Sequence, residues 1–260
     1  MAATIALPYS RLAADYDATI GIPFFEQTRN VFERLVQKYG IRFRSAADIG
    51  CGTGLFARHL KVSRGIPVFA VDLSEPMLRI AQRNCCGTNL VLLRQDIRYL
   101  RLPHPVDLIT ANFDTLNHIV RKEDLRKTLR KVFENLNPGG HFIFDVVTNC
   151  LPFGHSHLYV RQFGRPRRRV TQSVRLDPIR KLLSILVSIN SPDTLIPTVE
   201  RHCERVYSPR ELGEVLHEVG FIVRGIHDAA TLAMASKCPQ RIVVVAEKIN
   251  PSTVVSTRKR

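Results

Sequence analysis

The chain has 260 residues, with 38 Lys and Arg against 23 Asp and Glu for a formal net charge of +15, and 45 % of its residues are apolar. At roughly 150 residues per domain this is one large domain or a domain with an insertion, long enough to bury a core without metal or disulfide staples. The longest apolar runs, at 182–189 and 242–246, fall far short of the roughly 20 residues that cross a bilayer, which excludes a spanning helix.

The start, residues 1–8, has no basic stretch and too short an apolar run for a signal peptide. Six cysteines without a C-x-x-C pair point to a reducing compartment, so a cytoplasmic protein is expected. Phe24, Val31, Phe32, Leu35, Val36 and Tyr39 recur at three- and four-residue steps and predict one buried helical stripe, ended by Gly40. Residues 1–40 are thus a helical segment ahead of the core. Residues 46–49 then read as a short strand, 50–54 as a glycine-rich turn and 55–60 as a helix. A second strand at 67–71 ends on Asp72, and Ser74 caps a helix with Pro76 in its first turn. Strands follow at 90–93, 106–111 and 141–146, with an amphipathic helix over 121–136 broken by Asn137-Pro138-Gly139-Gly140. This alternation predicts an α/β fold with a parallel sheet covered by helices on both faces. Its ligand would lie beyond the carboxyl ends of the strands.

Over 151–207 the rhythm changes. Segments 158–163, 169–176, 181–189 and 199–206 alternate apolar with polar or basic residues between Pro- and Gly-containing turns, which predicts an antiparallel β insertion. The core, 41–150, resumes over 208–249 with a helix capped by Ser208, Pro209 and Glu211, closed by Gly220, and then two strands. Residues 250–260 read as a frayed tail.

A loop spaced G-x-G-x-G between strand and helix lets a ligand approach the backbone and aims helix N-terminal N–H groups at negative charge. The nucleotide fingerprint G-x-G-x-x-G would need its third glycine where Leu55 stands, so a dinucleotide enzyme is the minor reading. No Gly-Lys-Ser or Gly-Lys-Thr ends the turn, which excludes a Walker-type loop. Asp48 would fix the loop near a ligand's ammonium group, and Asp72 is placed to accept hydrogen bonds from a ribose. Either aspartate alone is as readily structural as functional.

Taken in order, Ala47-Asp48-Ile49-Gly50-Cys51-Gly52-Thr53-Gly54, Val71-Asp72-Leu73-Ser74 with Met77, Gln95-Asp96-Ile97 and Asn137-Pro138-Gly139-Gly140 resemble the class I S-adenosylmethionine-dependent methyltransferase family over about residues 9–248. The stretches 9–17, 113–118 and 200–208 resemble its small-molecule branch. The resemblance implies a Rossmann-like, mostly parallel seven-stranded sheet whose last strand is antiparallel. It places Gly50, Cys51, Gly52 and Gly54 at the methionyl end of S-adenosylmethionine, Asp72 at the ribose, Leu73 and Met77 at the adenine faces, and Asp96 with Ile97 at the adenine edge. Asn112 and Phe113 would face the sulfonium, and Tyr9 and Tyr16 would belong to a lid over the ligand.

Methyl transfer from a sulfonium chiefly requires positioning and exclusion of water. A base is needed only when the acceptor arrives protonated. His118 is the first candidate, followed by His202, Tyr207 and Asp145. The expected acceptor is N or O of a small molecule, with anionic ones among the classes that fit. An RNA substrate is the alternative. It rests on Arg161, Arg165, Arg167, Arg168, Arg169, Arg175, Arg180 and Lys181 as a basic face over the site mouth, with Tyr159 and Phe163 the nearest aromatics. A silent cofactor-binding module is the non-enzymatic alternative. Residues 112–115 lack the Asn/Asp-Pro-Pro-Tyr pattern of base-amine methylation. No metal ligand set is expected, since His155 and His157 stand as an isolated pair.

Overall fold

The alternating elements form where the apolar spacing predicts them. The protein is described by a computed structural model over residues 4–150, 159–163, 169–190, 196–235 and 239–249. Arg165, Arg167, Arg168, His155, His157, Cys238, the 164–166 and 191–193 turns and the 250–260 tail lie outside the described residues, as do the side chains of 159–163.

The chain opens with β1 (Thr4–Ala6) and α1 (Ala13–Tyr16), which passes through a π-turn at Asp17–Gly21 into α2 (Ile22–Tyr39). Then come β2 (Ala46–Ile49), α3 (Leu55–Arg64), β3 (Val68–Asp72), α4 (Glu75–Asn84), β4 (Val91–Arg94), β5 (Val106–Ala111), α5 (Lys122–Glu134) and β6 (Leu136–Val147). The insertion contributes β7 (Tyr159–Phe163), β8 (Arg169–Asp177), β9 (Leu182–Asn190) and β10 (Thr198–Arg205). α6 (Pro209–Val219), β11 (Phe221–Asp228) and β12 (Arg241–Lys248) complete the core. Ser74 and Ser208 cap α4 and α6 by accepting from the Met77 and Glu211 N–H groups.

The described strands of the core form a seven-stranded sheet in the order β11-β12-β6-β5-β2-β3-β4. β6, β5, β2, β3 and β4 run parallel, and β12 is antiparallel to both its neighbours, β6 and β11. Successive residues of the central strands enter opposite cores. Ala47, Ile49, Ile109 and Phe142 pack with Leu129 of α5 and Leu216 of α6, whereas Ala46, Leu108 and Ile143 pack with Phe32 of α2 and Phe56 of α3. Burial on both faces is what near-continuous apolar strands require. The strand order reverses between β2 and β5, so their carboxyl ends border the crevice where such sheets take ligands.

Two departures have physical reasons. β6 begins at Leu136, not beyond the Pro-Gly-Gly break, because Leu136 already pairs with Val106. The register then shifts so that Leu108 meets His141, and the break bulges out of the ladder. The N-terminus begins as a strand and not as a helix: β1 lies parallel to β10 and extends the insertion to the order β1-β10-β9-β8-β7. Three residues with Ile5 exposed carry no periodic signal, and their pairing partner is almost the whole chain away. Cys51, Cys85, Cys86 and Cys203 are free thiols and Cys150 is disulfide-bonded, a bond that the cysteine spacing did not foretell. No helix among the described residues is long and apolar enough to cross a membrane.

Tyr207 belongs to the core and not to a reaction centre. Its side chain is wholly buried in the cluster beneath α5 and α6, and its hydroxyl donates to the carbonyl of Ile119. Tyr207→Phe should lower unfolding free energy by about 1–3 kcal/mol, since the Ile119 carbonyl is left unpaired, while ligand binding measured by calorimetry stays unchanged.

Candidate functional site

The crevice begins at the turn after β2. Gly50, Gly52 and Gly54 all take left-handed backbone angles, at φ 67°, 54° and 80°, but only one of them faces free space. A Cβ on Gly50 would strike Thr115, and one on Gly54 would strike Cys85 and Ala81 of α4, whereas nothing lies within 4 Å of a Cβ on Gly52. Gly52 is therefore where a ligand can approach the backbone. Its N–H donates to Asp72 Oδ2 at 2.7 Å, and the Ser74 N–H donates to Asp72 Oδ1 at 2.8 Å. Burial pushes the Asp72 carboxyl upward while these two donors pull it down. Beside it Leu73 stands 60 % exposed, with Met77 and Ile97 buried.

Asp48 lies beneath the turn and not at its open side. It accepts from Thr110 Oγ1 at 2.8 Å and Asn112 Nδ2 at 3.3 Å, and burial pushes it up to about 7. Those bonds tie the ends of β2 and β5 together and hold Asn112 inside. Cys51 is also buried, which raises its thiol pKa. Asp96 caps the turn at Ile97–Tyr99 and pairs with Arg98 Nη2 at 2.6 Å, whose guanidinium holds the carboxyl low. Its carboxylate is thus already engaged by its own neighbour.

Past β5, Phe113 and Asp114 are consecutive non-glycine residues with positive φ, 58° and 63°. Backbone held in this region is strained and is found where a site demands it. The strain turns the chain into the short helix Thr115–His118. There the buried Asn117 donates to the Val147 and Arg205 carbonyls and accepts from the Val147 N–H, fixing the turn against the ends of β6 and β10. Asp114 and Asp145 share Arg241 of β12, which bonds Asp114 Oδ2 at 2.9 Å and reaches Asp145 by Nη1. The Arg241 guanidinium also lies 5.5 Å over the Phe24 ring. Asp145 is therefore paired, not free to orient an incoming amine alone.

The N-terminal segment covers this end of the sheet. Glu200, fully buried on β10, accepts from the N–H groups of Tyr9 (2.8 Å), Arg11 (2.6 Å) and Leu12 (2.9 Å), and His202 Nε2 lies 3.1 Å from its second oxygen. Further along, Asp17 accepts from Thr53 Oγ1 at 2.5 Å and from Asn84 Nδ2 at 2.9 Å, linking the segment to the glycine turn. A cavity of about 640 Å³ remains underneath, lined by Tyr9, Tyr16, Phe113, Asp114, His202, Glu204, Arg241 and the inner face of the inserted sheet. The Tyr9 hydroxyl meets His118 Nε2 at 2.9 Å, and its ring packs edge-on against His202 at 4.6 Å. Burial first, then His202, pushes His118 down to about 4.

The fold thus gathers Tyr9, Tyr16, Phe113 and His202 around one cavity, sets His118 behind Tyr9 and Asp145 behind Arg241, and leaves Tyr207 out. Glu200, Glu204, Arg241 and Asp17 escaped the sequence reading. A signal for two of them exists: Glu200, His202 and Glu204 alternate on one strand, and a period of two puts all three on the inner face. Among the described residues no group of His, Cys, Asp and Glu could hold a metal ion.

Residues 46–140 match the family described as the methyltransferase domain. YqeM of Bacillus subtilis, assigned to the methyltransferases by its name, is 32 % identical over 141 residues, which are 53 % of this chain and 55 % of that protein. The dTDP-3-amino-3,6-dideoxy-alpha-D-glucopyranose N,N-dimethyltransferase of Streptomyces fradiae is 31 % identical over 43 % of this chain and 42 % of its own. The crystal structure of an S-adenosylmethionine-dependent methyltransferase from Clostridium acetobutylicum superposes with a TM-score of 0.79 at 23 % identity, over 93 % of this chain and 99 % of that one. The chain spans little more than half the length of the first curated relatives it matches. The fold is the Rossmann-like one of that crystal structure, and residues 46–140 are similar to the methyltransferase domain.

Glu200→Gln removes a charged acceptor and turns an amide N–H toward backbone donors. It should cost about 1.5–3 kcal/mol and speed hydrogen exchange at Tyr9, Arg11 and Leu12. The raised Asp48 value gives a pH dependence. Between its unfolded value near 4 and its folded value of about 7, the folded chain holds a proton that the unfolded chain releases, so stability falls as pH rises. In urea titrations the wild-type-minus-Asp48→Asn stability difference should fall across that window, by at most about 1.4 kcal/mol per pH unit.

Proposed function

We propose that this chain is an S-adenosylmethionine-dependent methyltransferase that places the methyl group on nitrogen or oxygen of a small molecule. The observation that carries the reading is the half-open cavity at the carboxyl ends of the sheet, beside the open side of the Gly52 turn and under the Glu200-anchored segment. The residues present suit the cofactor. Gly52 offers unobstructed backbone, and each Asp72 oxygen has one protein donor and a further lone pair for a ribose hydroxyl. Leu73, exposed beside buried Met77 and Ile97, offers an apolar shelf for the adenine, with Asp96 at its edge.

When bound, the cofactor supplies a methyl group on a sulfonium that leaves as a neutral thioether. What the chain contributes is position and dryness. Phe113 and Asn112, held by the strained turn and by Asp48, separate the cofactor crevice from the acceptor cavity. Tyr9 and Tyr16 close the top. Holding reactants within reach of each other is worth up to about 7–11 kcal/mol of barrier. His118, neutral near pH 7, shares a hydrogen bond with the Tyr9 hydroxyl and orients it. A base pushed so low takes a proton poorly, which makes His118 a positioning residue in this reading.

The RNA alternative loses support from the geometry. Arg169 and Arg175 are exposed, and between them stand the inward Val170 and Val174, so these arginines stand on the outer face of the inserted sheet and not at the cavity mouth. Lys181 is paired with Glu211.

Calorimetry with S-adenosylmethionine and its demethylated product should show both binding, and Asp72→Ala should weaken both at least tenfold, about 1.4 kcal/mol. Gly52→Ala should weaken them comparably, since its Cβ enters the ligand's space. Labelled cofactor incubated with a metabolite extract and with total RNA should label the small-molecule fraction. Label in RNA alone overturns the substrate class, and binding without label in either fraction points to a silent module.

A further inference from the structure

The cavity is lined by one buried carboxylate, Glu204, that makes no hydrogen bond to any described residue. It is 6 % exposed. His118 Nε2 lies 3.7 Å from its Oε1, and that nitrogen also meets the Tyr9 hydroxyl at 2.9 Å. The other acids here have partners: Asp114 and Asp145 share Arg241, with Asp145 Oδ1 left over behind the cavity wall, and Glu200 has three backbone N–H groups and His202. A buried carboxylate without a donor is expensive to keep unless a ligand brings one. Across from it, Leu12, Ile20, Val174, Leu183, Ile185 and Val187 form an apolar wall. Among the described lining residues Arg241 is the cation, and its guanidinium is committed to two carboxylates, so none of the described residues there offers a free cation to a phosphate or carboxylate on the substrate.

We propose, building on the methyltransferase reading, that Glu204 receives the ammonium group of a primary or secondary amine whose apolar body lies against the inserted sheet. This replaces the wider expectation that includes anionic substrates. The chemistry balances. Glu204 takes one proton from R–NH3+, leaving R–NH2 with a free lone pair. Nitrogen then bonds the methyl carbon as the carbon–sulfur bond breaks and its electron pair stays on sulfur, and the proton on Glu204 passes to solvent on product release. Burial, with Asp114 and Asp145 nearby and Arg241 opposing them, raises the affinity of Glu204 for that proton. The other titratable groups facing it are His118 on the turn after β5, His202 on its own strand and Tyr9 on the covering segment. Neutral His118 cannot substitute as the counter-charge.

The test uses the full chain, with and without the demethylated cofactor, titrated calorimetrically with n-hexylamine, n-hexanol and hexanoate at pH 7. The amine should bind at least tenfold tighter than the alcohol, and hexanoate should bind weakest. In Glu204→Gln, isosteric and uncharged, amine and alcohol should become equal within about twofold, while unchanged affinity for the demethylated cofactor reports an intact fold. Equal amine and alcohol affinity in the wild type, no saturable amine binding at millimolar concentration, or a preference that survives in Glu204→Gln would each overturn the proposal. Failure of the demethylated cofactor to bind would instead strike the methyltransferase reading, and the amine titration without it still reports on Glu204.

Discussion

The cavity over the strand ends is roofed because one buried carboxylate holds the start of the chain across the mouth of the sheet. Glu200 accepts from three backbone N–H groups that lie 188 to 191 residues earlier in sequence. Charge-assisted bonds to a buried anion are among the stronger contacts a fold can make, and the cost of removing the anion from water is met here by several donors at once. Everything above the strand ends follows from that anchor. Tyr9 is placed to touch His118 and His202, α1 lies over α4, and Asp17 reaches the glycine turn.

The charges beneath the lid are arranged in a hierarchy. Arg241 neutralises Asp114 and Asp145, and its hydrogen bonds give the strained turn after β5 a reason to keep its left-handed angles. Breaking such a triad by removing the guanidinium would strand two buried acids. Glu200 is spent on backbone donors. Glu204 is left facing the cavity, so the electrostatic asymmetry that defines the acceptor end is the remainder after structural needs are met.

The sequence revealed the parts whose physics is local. The bounds of β2 and β5 coincide with the apolar runs at 46–49 and 106–111, and the serine caps of α4 and α6 act as their spacing predicts. The glycine turn and Asp72 were legible because a strand end and the turn that follows it are consecutive in the chain. Strand β1 and the Arg241 pairs were not, since their partners are distant and three residues or a single arginine carry no periodicity. Tyr207 misled for a related reason: a tyrosine at a strand exit looks the same in sequence whether its hydroxyl faces a cavity or donates to a backbone carbonyl in the core.

This division has a consequence for specificity. The cofactor half of the crevice is built from strand ends whose positions the sheet itself dictates, so substitutions there disturb the fold and the ligand together, as the contacts of Gly50 and Gly54 illustrate. The cavity is lined by alternate residues of an inserted sheet and by a covering segment whose Leu12 packs with Val170, Val187 and Ile189 of that sheet, apart from the two cores of the seven-stranded sheet. Inward positions such as Val174 and Ile185 pack with Leu176 and Leu183 of the insertion and meet the parallel core at Val147, the last residue of β6. On the proposed reading, the inward positions of the insertion set the body of the acceptor, provided that Glu200 keeps the covering segment in place and Glu204 keeps its carboxyl facing the cavity.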